Sequence, residues 1–405
     1  MFWGGIYLNV FKMVTQAERG NPLRDLNPRN MAAGIVTSLL AIAGPPAIIL
    51  EAAVNGNFST YQTILWFFAI YVGGGIFGII LPLRYRMPIV GAHSITGVAF
   101  LATVTSQFTY SELIGAYLLS GLLILAVGTL GTFSKLLDYV PKEIISAMLA
   151  GMVTKYMINF IVSTSQFLLV GGGALLAFLF FSKANTRIPP ILAAIITGSI
   201  LLLLTHNFGN TGMATDFIFP QAQVPEFGLA SFLSVAVPLA LLILSNDCAV
   251  GLGALEQNDY HPPVNRIVTL SGIFSVIAGI FGGQSANIGG MMTAICAAEE
   301  AGPKEARYMG AVVSGSIILI FGLFAWKFVP WIQALPSAFI GILGGFALLG
   351  VYINSLQISF SRPSMKLSVT FAFMIALANI TILNISAPVW SLLAGTIIAR
   401  YVEKS

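Results

Sequence analysis

Charge is what this chain has least of. Of its 405 residues only 8% are charged while 57% are hydrophobic, and the mean hydropathy is +0.89. That composition leaves no room for a sizeable soluble domain and points to a polytopic membrane protein. Cysteine is almost missing as well, with Cys248 and Cys296 the only two. Both fall in apolar runs, so no disulfide framework is expected, and two thiols alone make a poor metal site. There is no Walker loop, no HExxH zinc motif and no GxSxG elbow. An ATP-driven pump or a membrane hydrolase therefore has nothing to stand on; neither an enzyme nor a resident cofactor is expected. The first thirty residues lack a long apolar stretch and a small-residue cleavage site, so no signal peptide is expected. The formal charge of +4 is no sign of nucleic-acid binding, because its distribution along the chain explains it.

What the chain does have is apolar runs. Spans are expected at about 31–53, 59–82, 88–105, 111–132, 143–163, 165–182, 188–205, 229–252, 264–281, 283–298, 308–329, 336–355, 364–380 and 383–401. That makes fourteen, several of them short for a bilayer core of roughly 30 Å. With the N-terminus inside, 17 of the 19 basic residues, among them Lys12, Arg19, Arg187 and Lys404, fall on the cytoplasmic side. The exceptions are Lys155, within span 5, and Lys327, near an outer end where it can snorkel. Both termini are thus expected in the cytoplasm.

The longest outer loop, about 206–228, divides the spans seven and seven. The halves echo each other. The run from Pro141 to Gly151 is answered by that from Pro336 to Phe346, and each leads on to Ile-Asn, at Asn159 and Asn354. Pro45 and Pro238 stand at nearly the same offset, and Pro190 with Gly198 is answered by Pro388 with Gly395. An odd number of spans per half forces the two repeats to be inverted, a design of secondary transporters.

The tenth span breaks the rules of a membrane helix. Gly282 and Gly283 are followed by Gln284, Ser285 and Asn287, then Gly289 and Gly290, before the run stops at Glu299. Sixteen residues from Gly283 to Ala298 make only about 24 Å as a helix at ~1.5 Å each. With the first five or six extended at ~3.3 Å, the run covers about 34 Å. A short half-strand feeding a half-helix is therefore expected, and broken backbone at that depth must be buried or line a cavity. Span three offers the partner: Pro88 and Gly91 precede His93, Ser94 and Thr96, and Ala92 to Ser94 resembles Gly283 to Ser285. Two half-helix N-termini meeting there offer free amides and roughly +0.5 charge each, an anion or polar-ligand site without arginine.

The candidate ligand contacts are His93, Ser94, Thr96, Asn246, Asp247, Gln284, Ser285, Asn287, Ile288 and Gly289. Asp247 is the only acidic residue deep within a span. A membrane carboxylate is costly and usually functional, which suits a proton carrier; the bland alternative is a hydrogen-bond hub with Ser245 and Asn246. His93 can donate or accept, or simply pack. Lys155, mid-span, is a candidate gate residue or counter-ion for Asp247 or the substrate. Gln284, Ser285 and Asn287 either meet the ligand or satisfy the broken backbone. Glu51, Glu112, Asp216 and Glu226 fall in or beside outer loops and read as solvated.

Several stretches together resemble the benzoate/proton symporter (BenE) family: Leu26-Asn27-Pro28, Leu83 to Pro88, Ala147 to Gly151, Thr293 to Cys296, and Gly344 to Gly350. The likeness runs through nearly the whole chain. That family is similar in fold to uracil permeases and sulfate-permease-like anion carriers. The resemblance implies an all-α membrane protein of fourteen spans in two inverted sevens, with short half-strands in spans 3 and 10. It implies a core of spans 1–4 (31–132) and 8–11 (229–329), and a gate of spans 5–7 (133–205) and 12–14 (330–405). Residues 1–30 would be a cytoplasmic segment and 206–228 an outer linker. Substrate would sit between spans 3, 8 and 10. The expectation is a proton-coupled symporter of a small organic anion such as benzoate, in a prokaryotic inner membrane, working by elevator-like alternating access with Asp247 carrying the proton. Two alternatives stay open, a nucleobase symporter of the same fold and an anion channel. Small-residue faces also leave a homodimer open.

Overall fold

A computed structural model describes residues 22–135, 140–184, 189–206, 217–383 and 385–403. Lys12, Arg19, Arg187, Asp216 and Lys404, with most of segment 1–30 and part of the outer linker, lie outside these residues. Among the described residues, seven helices are long and apolar enough to cross a membrane: Pro28–Asn55 (segment 1), Thr60–Tyr85 (2), Tyr110–Leu130 (4), Lys142–Gln166 (5), Leu229–Gln257 (8), Lys304–Leu323 (11) and Ser337–Ser359 (12). Six shorter apolar helices are Ile95–Gln107 (3), Leu168–Lys183 (6), Pro190–Thr205 (7), Val264–Ile280 (9), Pro363–Ala378 (13) and Ala387–Val402 (14). Segment 10 completes the fourteen with the helix Gly290–Ala297. Their starts follow local chemistry. Ser59 with Gln62, and Thr109 with Glu112, form capping boxes that satisfy the first amides of segments 2 and 4.

The pairing of segments carries the inverted repeat. Segment 4 packs on 9 as 11 packs on 2; segment 5 packs on 12; segments 6 and 7 pair as 13 and 14 do. Each of these pairs maps onto itself or its mate when the halves are exchanged. Segments 3 and 10 obey the same rule through two short strands, β1 (Gly91–Ala92) and β2 (Asn287–Ile288), paired antiparallel with Gly91 opposite Ile288 and Ala92 opposite Asn287.

Small residues let these elements approach. Gly74 of segment 2 lies against the Ala92 backbone, Gly73 against Ala286, and Gly78 against Gly91 and Gly315. Segment 2 therefore passes directly behind the strand pair, in the backbone-to-backbone manner that small residues permit in membranes. At the end carrying the basic residues, Arg86 pairs with Asp25 at 2.9 Å, Tyr308 donates to the same carboxylate at 2.6 Å, and Arg307 donates to the Ala297 and Gly302 carbonyls at 2.7 and 2.8 Å. These bonds join segments 1, 2, 10 and 11.

Three elements differ from the expected spans. Segment 1 breaks at Gly44, because Pro45 and Pro46 follow and neither has an amide to continue the ladder. Segment 11 stops at Leu323 rather than near 329, and Ala325–Gln333 forms a separate short helix. Segment 8 is not a uniform α-helix: it widens into π turns at Phe232–Ala236 and Ile243–Cys248.

Candidate substrate-binding site

The break in segment 10 begins at Gly282, whose φ of +96° suits a residue without a Cβ. The next residues run extended as far as β2. Segment 9 satisfies their backbone with two serines one helical turn apart. Ser275 Oγ accepts from the Ala286 amide at 3.2 Å, and Ser271 Oγ accepts from the Ile288 amide at 3.4 Å. The break in segment 3 begins where Arg86 ends segment 2 in the left-handed region and Pro88 favours extended chain before it. Val90 then donates to Thr293 Oγ1 at 3.2 Å and accepts from the Gly289 amide at 2.8 Å. A two-stranded patch in the middle of a helical protein is thus paid for by hydroxyls on two neighbouring helices.

From this patch the two short helices lead away in opposite senses. Ser94 caps the first: its Oγ accepts from the Gly97 amide at 3.0 Å and lies 3.0 Å from Thr96 Oγ1. The second begins at Gly289 without a side-chain cap. The amides of Gly290, Met291 and Met292 have no hydrogen-bond partner among the described residues. These are the orphan donors that every helix start presents.

Asp247 sits in the π turn Ile243–Cys248 and is 6% exposed. The Ser94 side chain faces its carboxyl, and Oδ2 has no hydrogen-bond partner. One residue earlier, the Asn246 carbonyl lies so close to Gly290 that a Cβ there would come within 2.9 Å of it. The turn bearing Asp247 thus touches the starts of both short helices. π turns are rare and recur at functional sites, because the widened turn redirects a side chain.

The remaining candidates divide by what they already hold. Gln284 is fully buried; its Oε1 accepts from Trp66 Nε1 at 2.5 Å and its Nε2 donates to the Ser94 carbonyl at 3.4 Å. Ser285 Oγ accepts from the Ser94 amide at 3.0 Å. Both side chains therefore join segment 10 to segment 3. Asn287 donates to the Ile288 carbonyl at 2.9 Å and leaves Oδ1 without a partner, and His93, edge-on to Tyr71 at 4.9 Å, leaves Nε2 without one. Ile288 packs on Gly251 of segment 8, and Asn246, partly exposed, donates to Ser245 Oγ at 3.1 Å. Lys155 stands apart: it is exposed on segment 5, and its charge acts on Glu51 of segment 1. Glu51, expected in solvent, is half-buried in the helix Pro45–Asn55, while Asp247 has Ser94 and not Lys155 as its neighbour.

Trp66, Tyr71, Ser271, Ser275 and Thr293 support the site without having been singled out from the sequence. The i, i+4 serines of segment 9 were the one readable signal, since they share a face; a tryptophan in an apolar helix carries none. Cys248 and Cys296 are buried free thiols, and no cluster of metal ligands occurs among the described residues.

Known proteins share this architecture. The family model described as benzoate membrane transport protein (BenE) matches residues 24–401. The inner membrane protein YdcO of Escherichia coli (strain K12) is 30% identical over 92% of this chain and 95% of its own length. The benzoate membrane transport protein of Acinetobacter baylyi is 26% identical over 90% of this chain and 92% of its own. Among solved structures, the transmembrane domain of a cyanobacterial bicarbonate transporter, BicA, matches 91% of this chain and 97% of its own, with TM-score 0.55 and 15% identity. Murine Slc26a9, an anion transporter in the inward-facing state, matches 99% of this chain and 72% of its own, with TM-score 0.57 and 13% identity.

Proposed function

The chain belongs to the BenE family of benzoate membrane transport proteins, and from that premise we propose that it is a proton-coupled importer of a small aromatic carboxylate. The carboxylate would bind between the two short-helix starts, at His93 to Thr96 and Ser285 to Gly290, held by backbone amides rather than by arginine. Asp247 would take up and release the coupling proton. The observation that carries this reading is the position of Asp247: one buried carboxyl, one oxygen unpartnered, beside both helix starts. An anion and a proton taken up at one spot neutralise each other, which lowers the cost of carrying either through the bilayer.

Alternating access would come from segments 1–4 and 8–11 moving as a core against segments 5–7 and 12–14. Hydrogen bonds that cross this division join three pairs of residues toward one end. Tyr156 donates to the Ala99 carbonyl at 3.4 Å, Thr381 to Gln107 Oε1 at 3.1 Å, and Ser386 is bonded to Ser234. With the basic residues cytoplasmic, that end is the outer one. On the other side of the strand patch Met291 is 56% and Val250 38% exposed. With both termini in the cytoplasm, this pattern fits a transporter closed to the outside, and the relative YdcO, an inner membrane protein, supports an inner-membrane location.

Uptake into proteoliposomes tests the reading with a panel of carboxylates, nucleobases and inorganic anions at two external pH values. Benzoate or a close relative should accumulate, faster when the outside is acidic. Uptake of uracil alone, or conductance without saturation, would overturn it.

A further inference from the structure

Trp66 lies outside the residues assigned above to the carboxylate, yet one hydrogen bond ties it to segment 10. It is completely buried near the start of segment 2, wedged between Phe58 at 5.5 Å and Tyr117 at 6.2 Å. An indole nitrogen only donates, and this one donates to Gln284 Oε1 at 2.5 Å. That bond fixes which way the Gln284 amide faces, turning its Nε2 toward the Ser94 carbonyl 3.4 Å away. Ser94 is no ordinary acceptor, being the residue that caps the short helix of segment 3. Its carbonyl takes the first helical bond, from Val98 at 3.1 Å, and its amide donates to Ser285 Oγ at 3.0 Å. One chain of contacts thus runs from the indole through Gln284 to the start of one short helix, with Ser285 closing a second strut beside it.

We propose that Trp66 is a positioning residue, which through Gln284 sets the separation and register of the two short-helix starts and so the width of the gap that selects the substrate. It follows that Gln284 is a brace and not a ligand contact. The physical reason is rigidity. Two strand residues per segment pair through very few backbone bonds, too few to hold the patch against sliding. A buried amide held at both its oxygen and its nitrogen adds a directional constraint, and losing its donor leaves a buried acceptor that must swing to find another. The inference rests on the transport reading for its effect on uptake, but not for its effect on the backbone.

The test uses the full chain, purified in detergent and reconstituted, with labelled benzoate as probe. Trp66→Phe keeps an aromatic ring and removes the donor; Gln284→Leu removes the bridge; the double variant leaves no orphaned acceptor. Each single variant should raise the half-saturating benzoate concentration about tenfold while the maximal rate stays within about twofold. The double should be no worse than either single, as expected of residues acting as one unit. Its melting temperature should recover toward wild type while its half-saturation does not. Hydrogen–deuterium exchange needs no ligand, and Trp66→Phe should speed exchange at both 94–98 and 284–290. A much larger loss from Gln284→Leu than from Trp66→Phe would make Gln284 a ligand contact and overturn the proposal. So would faster exchange at 284–290 alone, or half-saturation recovering together with the melting temperature. If the wild-type protein takes up no benzoate, the transport reading fails, and the exchange result alone decides the brace.

Discussion

Ser386 and Ser234 are joined twice: the Ser386 hydroxyl donates to the Ser234 carbonyl at 2.9 Å, and its amide donates to the Ser234 hydroxyl at 3.1 Å. Both residues are fully buried. The first is the residue before segment 14, and the second lies in the first π turn of segment 8. If segment 8 moves against segment 14 during transport, this pair must part and re-form in each cycle. Removing one hydroxyl costs about 1 kcal/mol in the closed state and little in the open one. Ser234→Ala should therefore shift the resting protein toward outward-open. The measurement is labelling of Ala387→Cys, 1% exposed here, by a membrane-impermeant maleimide, expected several-fold faster with Ser234→Ala. Unchanged labelling would show that the pair does not form the outer closure.

Asp247→Asn removes the proton that Asp247 is proposed to carry and keeps the shape. Accumulation driven by an inward proton gradient should fall to the level of the gradient-free control, while exchange of internal for external substrate persists. Proteoliposome uptake and counterflow separate the two. Normal gradient-driven accumulation in the variant would end the proton role assigned to Asp247.

Gly290 is where segment 10 meets segment 8. A Cβ there would come within 2.9 Å of the Asn246 carbonyl and 3.0 Å of Val250 Cβ. Gly290→Ala should push the two segments apart by a few tenths of an ångström, and Gly290→Val by more. Overpacking of this kind costs about 1–3 kcal/mol. Uptake should fall stepwise from Gly to Ala to Val, with a melting temperature lowered by a few degrees for Val. Full activity in Gly290→Val would show that the Asn246 turn and the start of segment 10 do not form one site.

Glu403 closes the end of segment 14 onto the beginning of segment 13. Its carboxylate accepts from the Leu367 amide at 2.7 Å and the Ser368 amide at 3.1 Å, at a helix start where negative charge is favoured. Desolvation works to raise its pKa, but the bonds from the Ser368 side chain and the two amides outweigh it and leave the carboxyl below the usual glutamate value. A lowered folded-state pKa adds stability above the unfolded pKa of about 4.3, and that stability is lost as pH falls through the folded value. The melting temperature of Glu403→Gln should lie slightly below wild type at pH 7, and the two should converge below about pH 4. A constant gap across that range would show that the carboxylate is not what caps segment 13.

The linear order of residues was enough for the architecture. Fourteen crossings, an inverted pair of sevens and two interrupted segments follow from hydropathy, basic-residue placement and length, because lipid imposes those constraints on any chain locally. Gly282, Gly283 and Pro88 could announce broken backbone for the same reason: their effect on φ and on amide donors needs no partner. What a broken segment does with its freed groups is different, since that depends on which helix passes beside it. Only the folded chain brings Ser271 and Ser275 to the strand of segment 10, turns Gln284 toward Trp66, and sets Lys155 within electrostatic reach of Glu51. The widening of segment 8 at Asp247 was equally hidden, because no residue type specifies a π turn: it is held by its neighbours and not by its own composition. Local sequence determines where the backbone must break, and tertiary packing decides which side chains mend the break and which are left for a ligand.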